Sequence, residues 1–314
     1  MKLTDDLTRG DWTRERFGPG WSVAGTVGSG FEAYARILHP VPASRVDLDV
    51  PRQLPYGMPT IVEETVWPWA ELARRNGRSM HPLVQSTRLN DDESRMHFDD
   101  GWYCGQTRSG FLEPEYLADI VTRLTPETTT PGDLTVGVWE GWGELQGTGV
   151  VYTASGDDGS AQAAYDEAFR ASVAPEVREA LARTRYRPPR LFRRRPVVPP
   201  LLLELPDRRY LMFATDAAEL SNPDWPLTAG IGWDDESEGV MPQLVWPADS
   251  AWCIASEIDF DFTLVGGTRA AIAAVLDSPL LETYEVQPDD DVSRDGDVVN
   301  EFREPAPQLR HPFA

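Results

Sequence analysis

The chain has 314 residues, enough for one large domain or two ordinary ones, and 41% hydrophobic content with 11 Trp supports a packed core. A formal charge of −22 and a pI near 4.5 argue against nucleic acid or an anionic membrane as partner, because both attract basic surfaces. No apolar run approaches the ~18 residues of a membrane-spanning helix, and MKLTDDLTRGDWTRERF has no apolar signal segment.

The two cysteines, Cys104 and Cys253, lie far apart and match no metal-ligand spacing, so they read as buried, reduced thiols of a cytoplasmic protein. Lys2 is the only lysine among 29 basic residues, so single arginines reflect a coding bias more than a role.

In chain order, Trp21–Ala24 and Phe31–Leu38 read as two strands of a hairpin joined by GTVGSG. Strand alternation after the glycines argues against a phosphate loop. His39-Pro40 ends the second strand, and residues 40–60 read as proline-rich loop. A short helix is expected within Glu63–Gly77, with Pro68 in its first turn, Leu72 and Ala73 inward and Gly77 at its C-cap. His81-Pro82 opens an extended stretch, and Asp99-Asp100-Gly101 reads as a hairpin turn. His97, Asp99, Asp100 and Cys104 are metal-ligand types without ligand spacing, so a turn is preferred there.

Leu117, Ile120, Val121 and Leu124 follow the helical i, i+3, i+4, i+7 rule after Pro114. Leu134–Trp139 reads as a strand, with Val150–Thr153 as its partner. Between them, Trp139, Glu140, Trp142 and Glu144 form a candidate ligand site, since flat aromatics beside carboxylates hold a sugar ring or a cation. The competing reading is a loop whose tryptophans pack on the core.

A helix is expected from Asp157 to about Ser172, and another from Pro175 with Val177 and Leu181 inward. Arg183–Pro196 then holds seven arginines, three prolines and no acid. It reads as an extended connector lying along an acidic surface of its own chain, near Glu257, Asp259 and Asp261. Leu201–Leu205 and Arg208–Phe213 form a hairpin through Pro206-Asp207. Asp216–Leu220 is a helical turn, Asn222–Met241 mostly loop.

The best-defined segment is Gln243–Arg269. Trp252, Ile254, Ile258, Phe260 and Phe262 share one parity, broken at Ser256, while Glu257, Asp259 and Asp261 share the other. On one strand these acids would form a row spaced roughly 6.6 Å apart. Water or arginine pairing within the fold is the favoured offset for their repulsion; a cation, ligand or partner is the alternative. Gly266-Gly267 reads as a turn, and Thr268 caps a helix with Ile272, Val275 and Leu276 inward. Its N-terminus lacks a P-loop lysine or a dinucleotide fingerprint. Leu281–Val286 is the last strand, and the tail from Asn300 reads as disordered.

The phrases GFEAYARILHP, TTTPGDLTVGVWEGWGEL and PQLVWPADSAWCIASEIDFDFTLVGG resemble a family of uncharacterised bacterial proteins, over most of the chain up to about Asn300. The resemblance implies membership and carries no activity, so no catalytic residue transfers with it.

Hairpin pairs with helices set between them give an α+β expectation, with largely antiparallel sheets. Two halves are expected, 1–182 and 200–299, joined by a connector at 183–199 and followed by a tail at 300–314. The sequence carries no cofactor motif. It favours an acidic binding protein whose partner is a basic protein or a small ligand. The alternative is a carboxylate-dependent hydrolase, acting on a glycoside or through a metal, built on Glu257, Asp259, Asp261 and the Trp139–Glu144 stretch.

Overall fold

In the computed structural model, residues 1–18, 21–48, 60–90, 96–143, 145, 167, 171–185, 202–235 and 238–302 are described. The strands are β1 (Lys2–Thr4), β2 (Ala33–Leu38), β3 (Val41–Val46), β4 (Ile61–Trp67), β5 (Trp102–Cys104), β6 (Leu134–Trp139), β7 (Leu203–Glu204), β8 (Arg209–Thr215), β9 (Leu244–Pro247), β10 (Cys253–Ala255), β11 (Phe262–Gly267) and β12 (Glu282–Val286). The helices are α1 (Asp11–Arg16), α2 (Val23–Val27), α3 (Trp69–Asn76), α4 (Ser86–Leu89), α5 (Pro114–Leu124), α6 (Pro175–Arg185), α7 (Ala217–Leu220), α8 (Pro226–Ala229) and α9 (Arg269–Leu276). The fold is α+β, and every strand pair among the described residues is antiparallel. No described helix is long and apolar enough to cross a membrane.

The large sheet runs β1-β8-β6-β9-β10-β11-β2-β12, with β7 also on β8. It takes β1, β2 and β6 from residues before 182 and β7 to β12 from residues after 200, so strands from both stretches hydrogen-bond directly. Side chains alternate across it, and both faces are covered. On one face Ala35, Ile37, Val136, Val138, Phe213 and Val265 meet the apolar stripes of α5, α6 and α9. On the other, Tyr34, Leu38, Met212, Trp246, Phe262 and Leu264 meet α2, α3, α4 and a second sheet, β4-β3-β5. Central strands buried on both faces lose the polar half of their alternation, which is why Phe262–Gly267 is wholly buried.

Several expectations hold because their signals are local. α5 buries Leu117, Ile120, Val121 and Leu124, each side chain contributing about 1.5–3 kcal/mol of transfer free energy. α3 ends at Gly77 in the left-handed region, φ 60°. The β7–β8 hairpin turns through Pro206-Asp207, closed by Leu205 N–H donating to the Arg208 carbonyl at 3.0 Å. Thr268 caps α9 by accepting from Ala271 N–H at 3.0 Å.

Others are corrected. The expected hairpin at 21–38 is instead helix α2 followed by β2. Ser22 accepts from Gly25 N–H at 3.1 Å and caps the helix, which the valines of Val23–Val27 had disguised as strand. Part of the expected 40–60 loop is strand β3, paired on both sides. Pro42 is tolerated there because its pairing to β5 begins only at Ala43. Gly266 and Gly267 are not a turn but the end of β11, paired with Tyr34 and Ala33. The Phe31 ring lies where a Gly266 side chain would project.

The main correction concerns Trp252–Phe262, which is not one strand. β10 stops at Ala255, the chain turns through 256–261, and β11 returns with Cys253 opposite Gly266 and Ala255 opposite Leu264. Glu257, Asp259 and Asp261 therefore sit on a turn, not in a row on a sheet face. Expectations for Val150–Thr153, for Asp157–Ala168 apart from Glu167, for the connector beyond Arg185 and for the tail beyond Phe302 fall outside the described residues.

Candidate functional site

The 256–261 turn is held from three sides. Ser256 N–H donates to the Gln243 carbonyl at 2.8 Å, Gly110 N–H to the Phe260 carbonyl at 2.7 Å, and His39 N–H to the Asp261 carbonyl at 3.0 Å. Phe260 N–H closes it on the Glu257 carbonyl at 2.9 Å. Gly110, at φ +67°, has the Ile258 backbone 2.6 Å from where a Cβ would stand, so only glycine permits this approach. Beneath the turn, the Ser256, Thr263 and His39 side chains form a buried chain with contacts of 2.6 and 2.8 Å. Burial pushes the His39 imidazole down to about 3, holding it neutral.

The turn projects between two clefts, of about 690 and 490 Å³. Trp21, Asp259 and Phe260 line both. Trp21 is 51% exposed, its ring centroid 5.5 Å from that of Phe260, and Phe260 stacks on Phe262 at 4.4 Å. An aromatic pair thus stands at the junction, with one ring anchored in the core and one in solvent.

In the smaller cleft, Arg208 bridges two of the predicted acids. Its Nε donates to Glu257 Oε1 at 3.1 Å, and its Nη2 reaches Glu257 at 2.9 Å and Asp259 Oδ2 at 2.7 Å. The guanidinium also lies 5.8 Å from the Trp139 ring. Burial pushes the Glu257 carboxyl above its ordinary range, and Arg208 only partly opposes this. Asp259 is 53% exposed.

Asp261 points the other way. It accepts a hydrogen bond from the Ser86 hydroxyl at the start of α4 and lines the larger cleft. Burial raises its carboxyl, with Ser86 and Arg36 acting in opposition. Arg36 is wholly buried on β2. Its Nη1 donates to the Pro82 and Val84 carbonyls at 2.9 and 2.7 Å, and its guanidinium stacks 3.9 Å over Phe262.

The second predicted group is drawn toward the first by buried Gln243. Gln243 Oε1 accepts from Trp139 N–H at 2.8 Å and from Trp142 Nε1 at 3.1 Å, while its backbone carbonyl holds Ser256. Trp139 and Trp142 pack edge to face at 6.0 Å. Glu140 is separate: it pairs with Arg209 and lines neither cleft. Glu144 lies outside the described residues. Trp139 thus stands behind Arg208, and neither tryptophan lines either cleft.

Sequence reasoning missed Arg208, Trp21, Tyr210 and Ser86, each brought to the turn from a distant element. Only the broken parity at Ser256 signalled that the alternating run folds back. Among the described residues, no group of three or more His, Cys, Asp or Glu side chains could hold a metal. Asp100, in the weak metal grouping, pairs with Arg75 at 2.9 Å. The N-terminus of α9 is already capped by Thr268, and Glu32 accepts from Arg269 N–H at 3.2 Å. Glu113 is pushed up to about 7 by burial and by Glu238 and Glu115, but it lines neither cleft.

Comparison of the chain with protein-family models, with curated proteins and with solved structures finds no match.

Proposed function

We propose that the chain is a non-enzymatic binding protein whose ligand seat is the pair of clefts on either side of the 256–261 turn. The observation that carries this reading is the shared wall. One buttressed turn brings an exposed aromatic ring, a half-exposed carboxylate and adjoining concave surfaces together at a single place. Concave sites with aromatic walls and a few placed polar groups are the usual form of a ligand pocket.

The arrangement suits binding better than hydrolysis. Glycoside cleavage needs two carboxylates facing each other across the scissile bond. Here Asp259 and Asp261 come from one turn and one wall, and Glu257 and Asp259 share a single guanidinium. Metal-assisted hydrolysis has no ligand group among the described residues. The negative charge steers the protein toward basic proteins or small cationic ligands and away from nucleic acid and anionic membrane. Two free, buried cysteines support a reducing, cytoplasmic setting.

The test is a thermal-shift panel of amino acids, amines, sugars, short peptides and divalent cations, run on the parent protein and on Trp21→Ala and Asp259→Asn. Hits are expected whose stabilisation is lost in both variants. Hits indifferent to both substitutions would place binding elsewhere and contradict the proposal.

A further inference from the structure

The smaller cleft is acidic, as is the larger one, where Asp259, Asp261 and Asp295 stand against Arg294 alone. Asp207, Glu257 and Asp259 line the smaller cleft, and the one basic side chain among its described lining residues is Arg208, so three carboxylates face one guanidinium. Arg208 engages two of them, and Asp207 remains at the tip of the β7–β8 hairpin. A cluster of acids alone would be satisfied by water.

A second, independent feature points to a ligand. Tyr210 lines the same cleft and is only 4% exposed. Its hydroxyl has no hydrogen-bond partner among the described residues, although Glu257, Arg208 and Asp207 are the charged groups acting on it. The hydroxyl is not among the side-chain atoms shut off from solvent, so it is open to a molecule in the cleft, to which a phenol can donate or accept a hydrogen bond. Trp21, Phe17 and Phe260 supply the aromatic walls, and an aromatic face attracts an organic cation through its quadrupole. The fold already holds one such cation nearby: the Arg208 guanidinium sits between two carboxylates with Trp139 behind it.

We infer that this cleft binds an organic cation, the guanidinium or ammonium group of a small amine or of a basic peptide, with Tyr210 and Asp259 accepting its N–H donors and Trp21 covering its apolar part. The inference rests on the binding-protein reading and narrows it to one chemical class at one of the two clefts.

The experiment is calorimetric titration of the full chain at physiological ionic strength with Nα-acetylated arginine amide, with its uncharged isostere Nα-acetylated citrulline amide, and with a tetra-arginine peptide. The acetylated arginine amide is expected to bind at one site, at least tenfold more tightly than the acetylated citrulline amide. Tyr210→Phe, which changes shape least, and Glu257→Gln are each expected to weaken it severalfold, while Asp224→Asn on an exposed surface leaves it unchanged. Tighter binding of the peptide assigns the cation to a macromolecule, and equal binding assigns it to a small amine; either supports the inference. Equal affinity for the acetylated arginine and citrulline amides, both sensitive to Tyr210→Phe, would overturn the cationic assignment while leaving the cleft a ligand seat. Binding of the acetylated arginine amide that ignores Tyr210→Phe, or falls equally in Asp224→Asn, would reduce the effect to diffuse charge and overturn it. Absence of binding by any of the three probes would overturn it as well, whereas the binding-protein reading itself fails only if the thermal-shift hits are indifferent to Trp21 and Asp259.

Discussion

Replacing Arg208 with Met keeps most of the side chain's apolar length and removes its charge. Glu257 and Arg208 are both largely covered, with side chains 18% and 25% exposed. Their pair falls between an exposed ion pair, worth about 0–1 kcal/mol, and a fully buried one, whose breakage costs about 3–5 kcal/mol because a charge is left unpaired. An intermediate loss of about 1–2 kcal/mol at pH 7 is expected, read by urea unfolding followed through tryptophan fluorescence. The loss depends on pH in a defined direction. Burial already holds the Glu257 carboxyl above its unfolded value, and losing Arg208 raises it further. A carboxyl raised in the folded state binds protons more tightly there than in the unfolded chain, so stability falls as pH rises from the unfolded pKa to the folded one. The deficit of Arg208→Met should therefore be small near pH 4, reach its full size above the raised folded pKa, and shrink in the Arg208→Met, Glu257→Gln double variant. No deficit at pH 7 would refute the pairing argument. A deficit equal at pH 4 and pH 7 would show that Arg208 acts by packing on Trp139 and not by charge.

Three further outcomes are expected. Thr268→Ala removes the α9 cap and should cost about 1 kcal/mol in the same unfolding assay, while an unchanged midpoint would mean that Glu32 suffices. Cys253 is wholly buried and its thiol is pushed far above the usual range, and Cys104 is raised to about 11, both by burial; neither should react with a thiol-selective disulfide reagent at pH 8 until the protein unfolds, and rapid native labelling of Cys253 would contradict its placement. His39 is held down to about 3 when folded, so the unfolded chain takes up a proton first and stability should fall below about pH 6.5, at up to ~1.4 kcal/mol per pH unit from this group. His39→Gln should flatten that slope, and an NMR titration showing the His39 ring protonating near pH 6 would contradict it.

Elements whose determinants lie within a few residues were readable from the sequence. α5 announced itself by a helical stripe after Pro114, α3 by Pro68 and Gly77, the β7–β8 hairpin by Pro206-Asp207, and α9 by Thr268. What was not readable depended on partners far along the chain. The Trp252–Phe262 alternation persists through a turn because Phe260 packs under Trp21 and Ile258 lies against Gly110, both tertiary contacts. α2 hides because valines favour strand until packing decides, and β3 hides because prolines on both ends of Val41 suggest a loop. At the site, the sequence identified the acids but not their directions. Asp261 faces Ser86 while Glu257 and Asp259 face Arg208, a separation that a single strand would not produce. The arginine that offsets Glu257 and Asp259 comes from the β7–β8 hairpin.

The most direct test of the central claim is amide hydrogen exchange with and without saturating Nα-acetylated arginine amide, resolved on peptides covering 205–210 and 256–262. The account predicts slowed exchange in both peptides, lost in Tyr210→Phe. Slowed exchange confined to other segments, with 205–210 and 256–262 unchanged, would contradict it.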